Sequence, residues 1–239
     1  RVGMGILPEG FMEWRIWIAA LATIGIVYGA CVALTQKDFK FVIGYSSVSH
    51  MGFVLLGLAT LNTVGLSGAV LQMFSHGVIA GLLFGVVGRM VYDRAHTRDL
   101  GELSAFALKS SLPFAAVTFV LAGAASIGIP GFSGFIAEIA VIIGAWKSFP
   151  FMACVAGAGI LIGVVYTMKA MQKAFFADAS KNDPVPAELP PITIAEKVGT
   201  GLLLFSTVLI GLWPGLLLDL IIPALEGDFF AALMKGGAQ

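Results

Sequence analysis

Long hydrophobic runs dominate the chain, and they predict membrane-spanning α-helices. A helix that crosses a bilayer needs about 20 mostly apolar residues. Six runs approach or exceed that length, at residues 15–36, 40–60, 65–90, 111–147, 150–175 and 197–218. They are far longer than the strands of a membrane β-barrel, which span the bilayer in about 10 alternating residues. Since helices and closed barrels are the two structures that satisfy every backbone group in lipid, the sequence predicts an all-α integral membrane protein with six transmembrane helices.

The fourth run is too long for one straight crossing. Its 37 residues correspond to about 55 Å of helix. Its centre reads SIGIPGFSGFIAE, with helix-breaking residues at Gly128, Pro130, Gly131 and Gly134. We therefore predict that this span is a broken helix, interrupted between Ile127 and Phe135. Broken helices at membrane depth occur where they line a cavity or pack within protein, and transporters use them to place binding sites.

The spans divide the chain into four parts. Residues 1–10 are predicted to be the tail of a preceding helix and a turn at Leu7–Gly10, and residues 11–176 form a five-helix unit. Residues 177–196 form a cytoplasmic linker with the proline-rich stretch DASKNDPVPAELPP, and residues 197–239 supply the final transmembrane helix and an outer C-terminal segment. Because the chain opens on Arg1, with neither an initiator methionine nor a signal-peptide pattern, we expect it to be part of a longer protein.

Composition supports the membrane assignment. Hydrophobic residues make up 58% of the 239 residues, charged residues make up 12%, and the mean hydropathy is +0.95. A soluble domain carries about 25% charged residues. The formal net charge of zero therefore gives no indication of nucleic acid or of an acidic partner. Cys31 and Cys154 lie within apolar runs at no disulfide or metal spacing, so we expect both to be small buried residues.

The basic residues predict how the chain is oriented. Nine of them fall on one side of the predicted spans: Lys37, Lys40, Arg89, Arg94, Arg98, Lys109, Lys173, Lys181 and Lys197. Four fall on the other side: Arg1, Arg15, Lys147 and Lys235. Lysine and arginine concentrate in cytoplasmic loops, so the first side is predicted to be cytoplasmic. We expect a multi-pass protein of the bacterial cytoplasmic (inner) membrane with both chain ends on the outer, periplasmic side.

Two histidines lie in a stretch that has no acidic or basic side chain. His50 and His76 are each 13 residues from the turn near Thr63 that joins the second and third spans, so each lies about 20 Å from it along its helix. The two should share a depth within the membrane. Ser46 precedes His50 by four residues and Gln72 precedes His76 by four, which places a short polar stripe on each helix.

Three interpretations of the histidines are open. They can be packing residues satisfied by neighbouring hydroxyl or carbonyl groups, or a metal-binding pair, although no cysteine or carboxylate lies at ligand spacing. They can also belong to a hydrated polar axis, because imidazole both donates and accepts protons near neutral pH. Ionisable groups within membrane spans usually mark ion or proton pathways.

Further ionisable residues favour the polar axis. Glu138 follows the predicted break by about one turn and stands alone in an apolar stretch, which is energetically unfavourable unless the carboxyl is paired, hydrated or protonated. We expect a raised pKa or a basic partner, with His76 and Lys169 as candidates. Lys169 shares a face with Tyr166 and Lys173 near the cytoplasmic end of the fifth span, where snorkelling to the interface is equally plausible. Lys40 lies ten residues before His50 on the same side, and His96 falls in a charged loop.

Three motifs resemble the antiporter-like membrane subunits of respiratory complex I. They are IGYSSVSHMGFVLLGLATLNTVGLSGAVLQMFSHG, YDRAHTRDL and GIPGFSGFIAE. Within that family the chain resembles the M type. Ala80 stands where L-type, N-type and Mrp-type subunits usually have lysine, and Glu138 stands where those types usually have lysine and the M type has glutamate.

The resemblance implies a fold and an activity. The fold would be the second inverted five-helix repeat and the last helix of a fourteen-helix subunit. The resemblance places Lys40, His50, His76 and Glu138 on the central hydrophilic axis of the family, while Lys169 replaces a commonly apolar residue. The implied activity is proton translocation along this axis, driven by quinone reduction elsewhere in an NADH:quinone oxidoreductase, with L- and N-type subunits as neighbours. No cofactor or redox active site is expected in this chain.

The sequence is also compatible with other functional classes. One is a cation/proton antiporter subunit of the Mrp type, and a second is a membrane subunit of a related hydrogenase or quinone oxidoreductase. A third is a structural scaffold within the membrane. Ala80 and Glu138 favour the complex I type over the Mrp type, and intramembrane ionisable groups argue against a scaffold because of their desolvation cost.

Overall fold

The computed structural model of the chain describes residues 3–106, 108–177 and 189–227. These residues form helices and connecting loops, and within them the structure has no β-strand. In chain order the longer helices are α1 (Pro8–Thr35), α2 (Phe39–Ala59), α3 (Thr63–Phe84), α4 (Pro113–Ser126), α5 (Ser133–Ser148), α6 (Pro150–Phe175), α7 (Ile194–Leu212) and α8 (Gly215–Glu226). Most of the predicted linker (178–188) and of the outer segment (228–239), together with Arg1, Lys181 and Lys235, lies outside the described residues.

The helices confirm the predicted all-α membrane architecture. Helices α1, α2, α6 and α7 are long and apolar enough to cross a membrane, and so is α3 together with its extension to Ala95. The fourth predicted span is divided into α4 and α5, which together provide the remaining crossing. A π-helix (Gly85–Tyr92) continues α3 towards the loop. Segments of π-helix are rare and often occur near functional sites.

Two predicted boundaries are corrected, and proline explains both. Helix α1 begins at Pro8, so residues 8–10 form its first turn rather than a separate turn before it. Proline is favoured at that position because the first amide groups of a helix lack partners in any case. The final span ends at Leu212 instead of residue 218, because Pro214 disfavours helical geometry at Trp213.

Polar caps fix the turns between the first three helices. The Asp38 carboxylate begins α2 by accepting hydrogen bonds from the amides of Lys40 and Phe41 at 2.8 and 3.2 Å. The Asn62 side chain begins α3 by accepting from the amide of Gly65 at 2.8 Å. It also donates to the carbonyl oxygen of Gly144 at 2.9 Å. The turn between α2 and α3 is therefore tied to the end of α5.

Small residues allow α2, α3 and α5 to approach closely. A Cβ atom on Gly144 would lie 2.3 Å from the Cα of Gly65, and one on Gly57 would lie 2.7 Å from the carbonyl oxygen of Gly65. Membrane helices depend on such contacts because lipid tails supply no hydrophobic drive for helix association. These three helices form the centre of the bundle, where the ionisable residues lie.

The interruption between α4 and α5 is a built turn, and the predicted break is confirmed. Gly128 has a φ of +71°, and its amide donates to the Ala125 carbonyl while that of Ile129 donates to the Ala124 carbonyl. This is the Schellman arrangement that ends a helix on a left-handed glycine. Pro130 follows directly and prevents the helix from resuming at once.

The outer perimeter of the bundle is apolar and exposed. Each of the four tryptophans lies at a helix end and is more than half exposed: Trp14 (60%), Trp17 (65%), Trp146 (58%) and Trp213 (70%). The alternating helix directions place all four at one end of the bundle, a position typical of a membrane interface. Cys31 and Cys154 are also exposed, which corrects the expectation that they are buried. Each lies one turn from an exposed aromatic residue on the lipid-facing side of its helix.

Arg94 anchors the last transmembrane helix at the opposite end. Its guanidinium binds the Glu196 carboxylate at 2.8 Å and is 8% exposed. It also donates to the carbonyl oxygens of Pro190 at 2.8 Å and Pro191 at 3.0 Å. Glu196 in turn belongs to the capping box that Thr193 makes at the start of α7. One planar donor group therefore connects the end of α3 to the loop before α7 and to α7 itself.

We expect the Arg94→Lys substitution to destabilise the protein by about 1–3 kcal/mol, because an ammonium cannot reproduce the forked hydrogen bonds to a buried carboxylate. The measurement is the midpoint of thermal unfolding of the purified membrane protein in detergent. Arg98→Lys is the matched control, since Arg98 pairs with Asp38 rather than with Glu196, its side chain is 42% exposed, and exposed ion pairs contribute about 0–1 kcal/mol. Equal shifts for the two variants would contradict the assigned role of Arg94.

Candidate functional site

A buried pair of ionisable residues joins His50 on α2 to Glu138 on α5. The Nδ1 atom of His50 lies 3.1 Å from Oε1 of Glu138, and the two residues are 9% and 4% exposed. The N–H direction is poorly aligned, so Nδ1 has no hydrogen-bond partner of good geometry among the described residues. The basic partner of Glu138 is thus His50, and not His76 or Lys169 as the sequence suggested.

His50 also contacts the other half of the broken helix. Its Nε2 atom lies 3.3 Å from the Ser126 hydroxyl, and Ser126 is the last residue of α4. One imidazole therefore joins the end of α4 to the first turns of α5. The break is what brings Ser126 and Glu138 to opposite nitrogens of the same ring.

His76 completes a pair of imidazoles, as predicted from its distance to the turn. The ring centroids of His50 and His76 are 5.3 Å apart, which confirms that the two residues share a depth on adjacent helices. His76 is half-buried, and the side chain of Gln72, one turn earlier on α3, has a buried oxygen without a partner among the described residues. Gln72 borders the same small cavity as both histidines.

Two cavities of about 10 Å³ each adjoin the His50–Glu138 pair. One extends towards Gln72 and His76, and the other extends towards Tyr166 on α6. Both are bordered by His50, Ser126 and Glu138. A cavity of about this size holds a single water molecule when it offers two or more polar partners. The pair is therefore flanked by two positions at which water can bind.

A chain of hydroxyl groups holds α7 against the break. Ser133, the first residue of α5, is hydrogen-bonded to Ser75 on α3 and, at 2.9 Å, to Thr207 on α7. All three residues are fully buried. Sequence reasoning missed this contact because serine and threonine are common in membrane helices and give no periodic signal of their own.

Tyr166 was also missed as a site residue. It is 4% exposed. It borders the same small cavity as His50 and Glu138. The available signal was a tyrosine far from the ends of a membrane span, but the sequence grouped it with Lys169 and Lys173 on one helix face.

The predicted lysines lie apart from the His50–Glu138 pair. The ammonium of Lys40 lies 4.4 Å from the centre of the Tyr92 ring, and ten residues of α2 separate Lys40 from His50, or about 15 Å. Lys169 is exposed and donates to the carbonyl oxygen of Leu34 at 2.9 Å. That carbonyl belongs to the last turn of α1, where carbonyl groups lack helical partners and attract cations. His96 is exposed in its loop.

The pair can exchange a proton within a region of low dielectric constant. Two unit charges at this separation interact by about 5 kcal/mol at an effective dielectric constant of about 20. A charge on one group therefore changes the energy of a charge on the other. Within the described ranges, no three histidine, cysteine, aspartate or glutamate residues lie together as a metal site would require.

Comparison with known proteins connects this geometry to a family. Residues 4–163 match the sequence profile described as NADH:quinone oxidoreductase/Mrp antiporter, TM. The chain is 38% identical, over 77% of its length, to NADH-quinone oxidoreductase subunit M of Rickettsia typhi. It is 34% identical, over 94% of its length, to subunit M of Rhodobacter capsulatus. It spans 36% and 43% of these two relatives.

Solved structures share the fold. A chain of respiratory complex I from Thermus thermophilus superposes over 100% of this chain and 48% of its own length, with a TM-score of 0.86 and 28% identity. A chain of the Mrp complex from Dietzia sp. superposes over 97% of this chain and 50% of its own length, with a TM-score of 0.80 and 21% identity. At that identity the second match shows the fold alone.

We expect Gly128→Ala to destabilise the protein by about 1–3 kcal/mol, because alanine is strained at a positive φ. Its methyl would also lie 3.0 Å from Oε2 of Glu138 and would displace that carboxylate from His50. The measurement is the midpoint of thermal unfolding in detergent. Gly77→Ala is the matched control, since its methyl would meet nothing within 4 Å and alanine favours a helix by about 1 kcal/mol. A Gly128→Ala variant with an unchanged unfolding midpoint would show that the turn at the break is not strained.

Proposed function

Because the chain belongs to the NADH:quinone oxidoreductase/Mrp antiporter transmembrane family, we propose that it translocates protons as the M-type membrane subunit of an NADH:quinone oxidoreductase. The relatives named subunit M cover up to 94% of the chain, and they support this assignment. The energy would come from quinone reduction elsewhere in the complex, so this chain would carry no redox active site and bind no cofactor.

The observation that carries the proposal is the pairing of His50 with Glu138 across the broken helix. A buried carboxylate and imidazole at 3.1 Å can exist as an ion pair or as two neutral groups, and the two forms differ by one proton transfer. A charge brought close to either group alters the balance between them. Coupled groups of this kind pass a charge change along the membrane without moving the helices far.

We place the centre of the proton pathway at His50, His76 and Glu138. Lys40 would connect this centre to the cytoplasmic end of α2, about 15 Å away. Lys169 is exposed and bonds to the Leu34 carbonyl. These contacts support a role in capping α1, so we do not include Lys169 in the proposed pathway. The Tyr92 ring beside Lys40 would hold a proton-carrying ammonium in place.

The partners would be the lipid bilayer and other membrane subunits of the complex, including L- and N-type neighbours, with quinone bound elsewhere. The exposed apolar perimeter and the tryptophans at one end support a bilayer location. The basic residues at the Arg94 end support a cytoplasmic assignment for that end. Both ends of this chain would then lie on the outer side of a bacterial inner membrane.

An Mrp-type cation/proton antiporter subunit is the second candidate, because the description of the matching family profile names both kinds of protein. The superposition on the Dietzia Mrp complex shows the shared fold alone, and one fold can host both activities. Position 80 is alanine rather than lysine, and position 138 is glutamate. Both residues support the complex I assignment. Sodium-dependent pH changes in vesicles, insensitive to NADH and quinone, would favour the antiporter instead.

Glu138→Gln tests the proposal, because it keeps the shape of the side chain and removes its titration. In the assembled complex we expect proton pumping to slow by about tenfold or more, equivalent to about 1.4 kcal/mol of barrier, with normal assembly. Quinone reduction should slow with it if the two are tightly coupled. Pumping is measured as acidification of inside-out vesicles on addition of NADH, and assembly by native gel electrophoresis.

Two further variants complete this test. Glu138→Asp should keep part of the activity, since a titratable group remains about one methylene away. Glu102→Gln is the control, because Glu102 is exposed in the loop after α3. We expect a complex with this variant to pump at the normal rate. A Glu138→Gln complex that pumps at the normal rate and ratio would overturn the proposal.

A further inference from the structure

We propose that Thr207 and Gly211 on α7 are positioning residues for Glu138. They hold its carboxylate within reach of His50. The inference rests on the proposed proton transfer and assigns part of that function to the last transmembrane helix, which lies outside the five-helix unit. Three observations carry it: the two contacts of α7 with the break, the way α5 begins, and the separate anchor of α7 at the Arg94 end.

Helix α7 touches the break at two points on one face. The Thr207 hydroxyl is hydrogen-bonded to that of Ser133 at 2.9 Å, and both residues are fully buried. One turn further along, a Cβ atom on Gly211 would lie 2.3 Å from the carbonyl oxygen of Gly131 and 2.5 Å from the Cα of Phe132. Residues four apart share a helix face, so this face of α7 lies directly against the interrupted backbone.

Helix α5 has no side-chain cap of its own. Its N-cap position is Phe132, whose side chain cannot accept a hydrogen bond, so the start of the helix depends on other elements. Ser133 supplies the connection through its bonds to Thr207 and to Ser75 on α3. Glu138 follows Ser133 by five residues, or about 7.5 Å along a helix. A displacement of the first turn is therefore carried to the carboxylate.

The Glu138 carboxylate has little room to shift without losing its contacts. Its Oε1 lies 3.1 Å from Nδ1 of His50, and its Oε2 lies 3.0 Å from where a Cβ atom would stand on Gly128. A Cβ atom on Gly134 would lie 2.5 Å from the carbonyl oxygen of Ala125, so the first turn of α5 already presses on the end of α4. Loss of the α7 contact would let α5 move away from that end and draw Glu138 from the imidazole.

Helix α7 is fixed at a second point, which lets it act as a brace. Glu196 in its first turn binds the buried Arg94 guanidinium at 2.8 Å. Thr207 follows Glu196 by eleven residues, or about 16.5 Å along the helix. The contact with the break therefore belongs to a helix that is anchored at the Arg94 end, so α7 can support α5 from a fixed position.

Thr207→Val tests the proposal because it keeps the shape of the side chain and removes its hydroxyl. In the assembled complex we expect NADH-driven proton pumping to slow by about five- to tenfold, since small displacements of reacting groups lower rates steeply. The infrared difference bands of the Glu138 carboxyl, identified by their loss in Glu138→Gln, should shift. Thr207→Ser restores the hydroxyl and should restore both measurements. A side chain that only fills space would not shift these bands.

Thr200→Val is the matched control on the same helix. Thr200 is 7% exposed, and its hydroxyl donates to carbonyl oxygens of its own helix, those of Glu196 at 2.7 Å and Lys197 at 3.1 Å. This variant loses a buried hydroxyl but leaves the contact of α7 with the break intact. We expect normal pumping and unshifted carboxyl bands.

Gly211→Ala provides an independent test that leaves every hydroxyl group in place. Its methyl would overlap the backbone of Gly131 and Phe132, so α7 must move away from the break. We expect the same slowing and a shift of the same bands. Gly199→Ala is its control on α7, since a methyl there would meet nothing within 4 Å.

The outcomes separate this inference from the proposed function. If Glu138→Gln slows pumping while Thr207→Val and Gly211→Ala pump normally with unshifted bands, α7 does not position the carboxylate and the proposed function stands. If Glu138→Gln itself pumps normally, the proposed function fails. If Thr207→Val or Gly211→Ala does not assemble, Thr207→Ala decides, because it removes the same hydroxyl without adding an atom. Slow pumping with shifted bands then supports the inference, and any other result overturns it.

Discussion

The interruption between Ser126 and Ser133 frees backbone groups in a region where lipid offers them no hydrogen bonds, so the turn and its neighbours must hold it in place. The Schellman turn at Gly128 binds the last carbonyl groups of α4. The hydroxyl chain from Ser75 through Ser133 to Thr207 fixes the start of α5 between two other helices. Helix α7, which lies outside the five-helix unit predicted from the sequence, is therefore part of what holds the break in shape.

The same break brings the polar groups of the site together. A continuous helix would carry its residues around one regular spiral, whereas the interruption lets Ser126 and Glu138 approach His50 from two sides. The low dielectric constant that makes a buried charge unfavourable also makes the two groups sensitive to each other. Burial of the pair thus makes it responsive to a charge placed nearby.

Hydrophobic patterning was sufficient to predict the spans, the break and the shared depth of His50 and His76, since each depends on counting residues along regular helices. It could not predict the partner of Glu138, because that depends on how α5 rotates after the irregular turn. The bond of Lys169 to Leu34 was hidden for a related reason, as a long flexible side chain reaches in several directions. The boundaries at Pro8 and Pro214 were within reach of sequence reasoning, because proline favours the first turn of a helix and disfavours helical geometry at the residue before it.

The four tryptophans give the protein a built-in optical asymmetry. All of them lie at the end of the bundle opposite Arg94, each more than half exposed. Indole fluorescence therefore reports on one membrane interface and is silent about the other. Quenchers confined to one leaflet would reveal which way the protein is inserted, without any label. A tryptophan placed near Arg94 would add a signal from the second interface, which the tryptophans of these 239 residues do not reach.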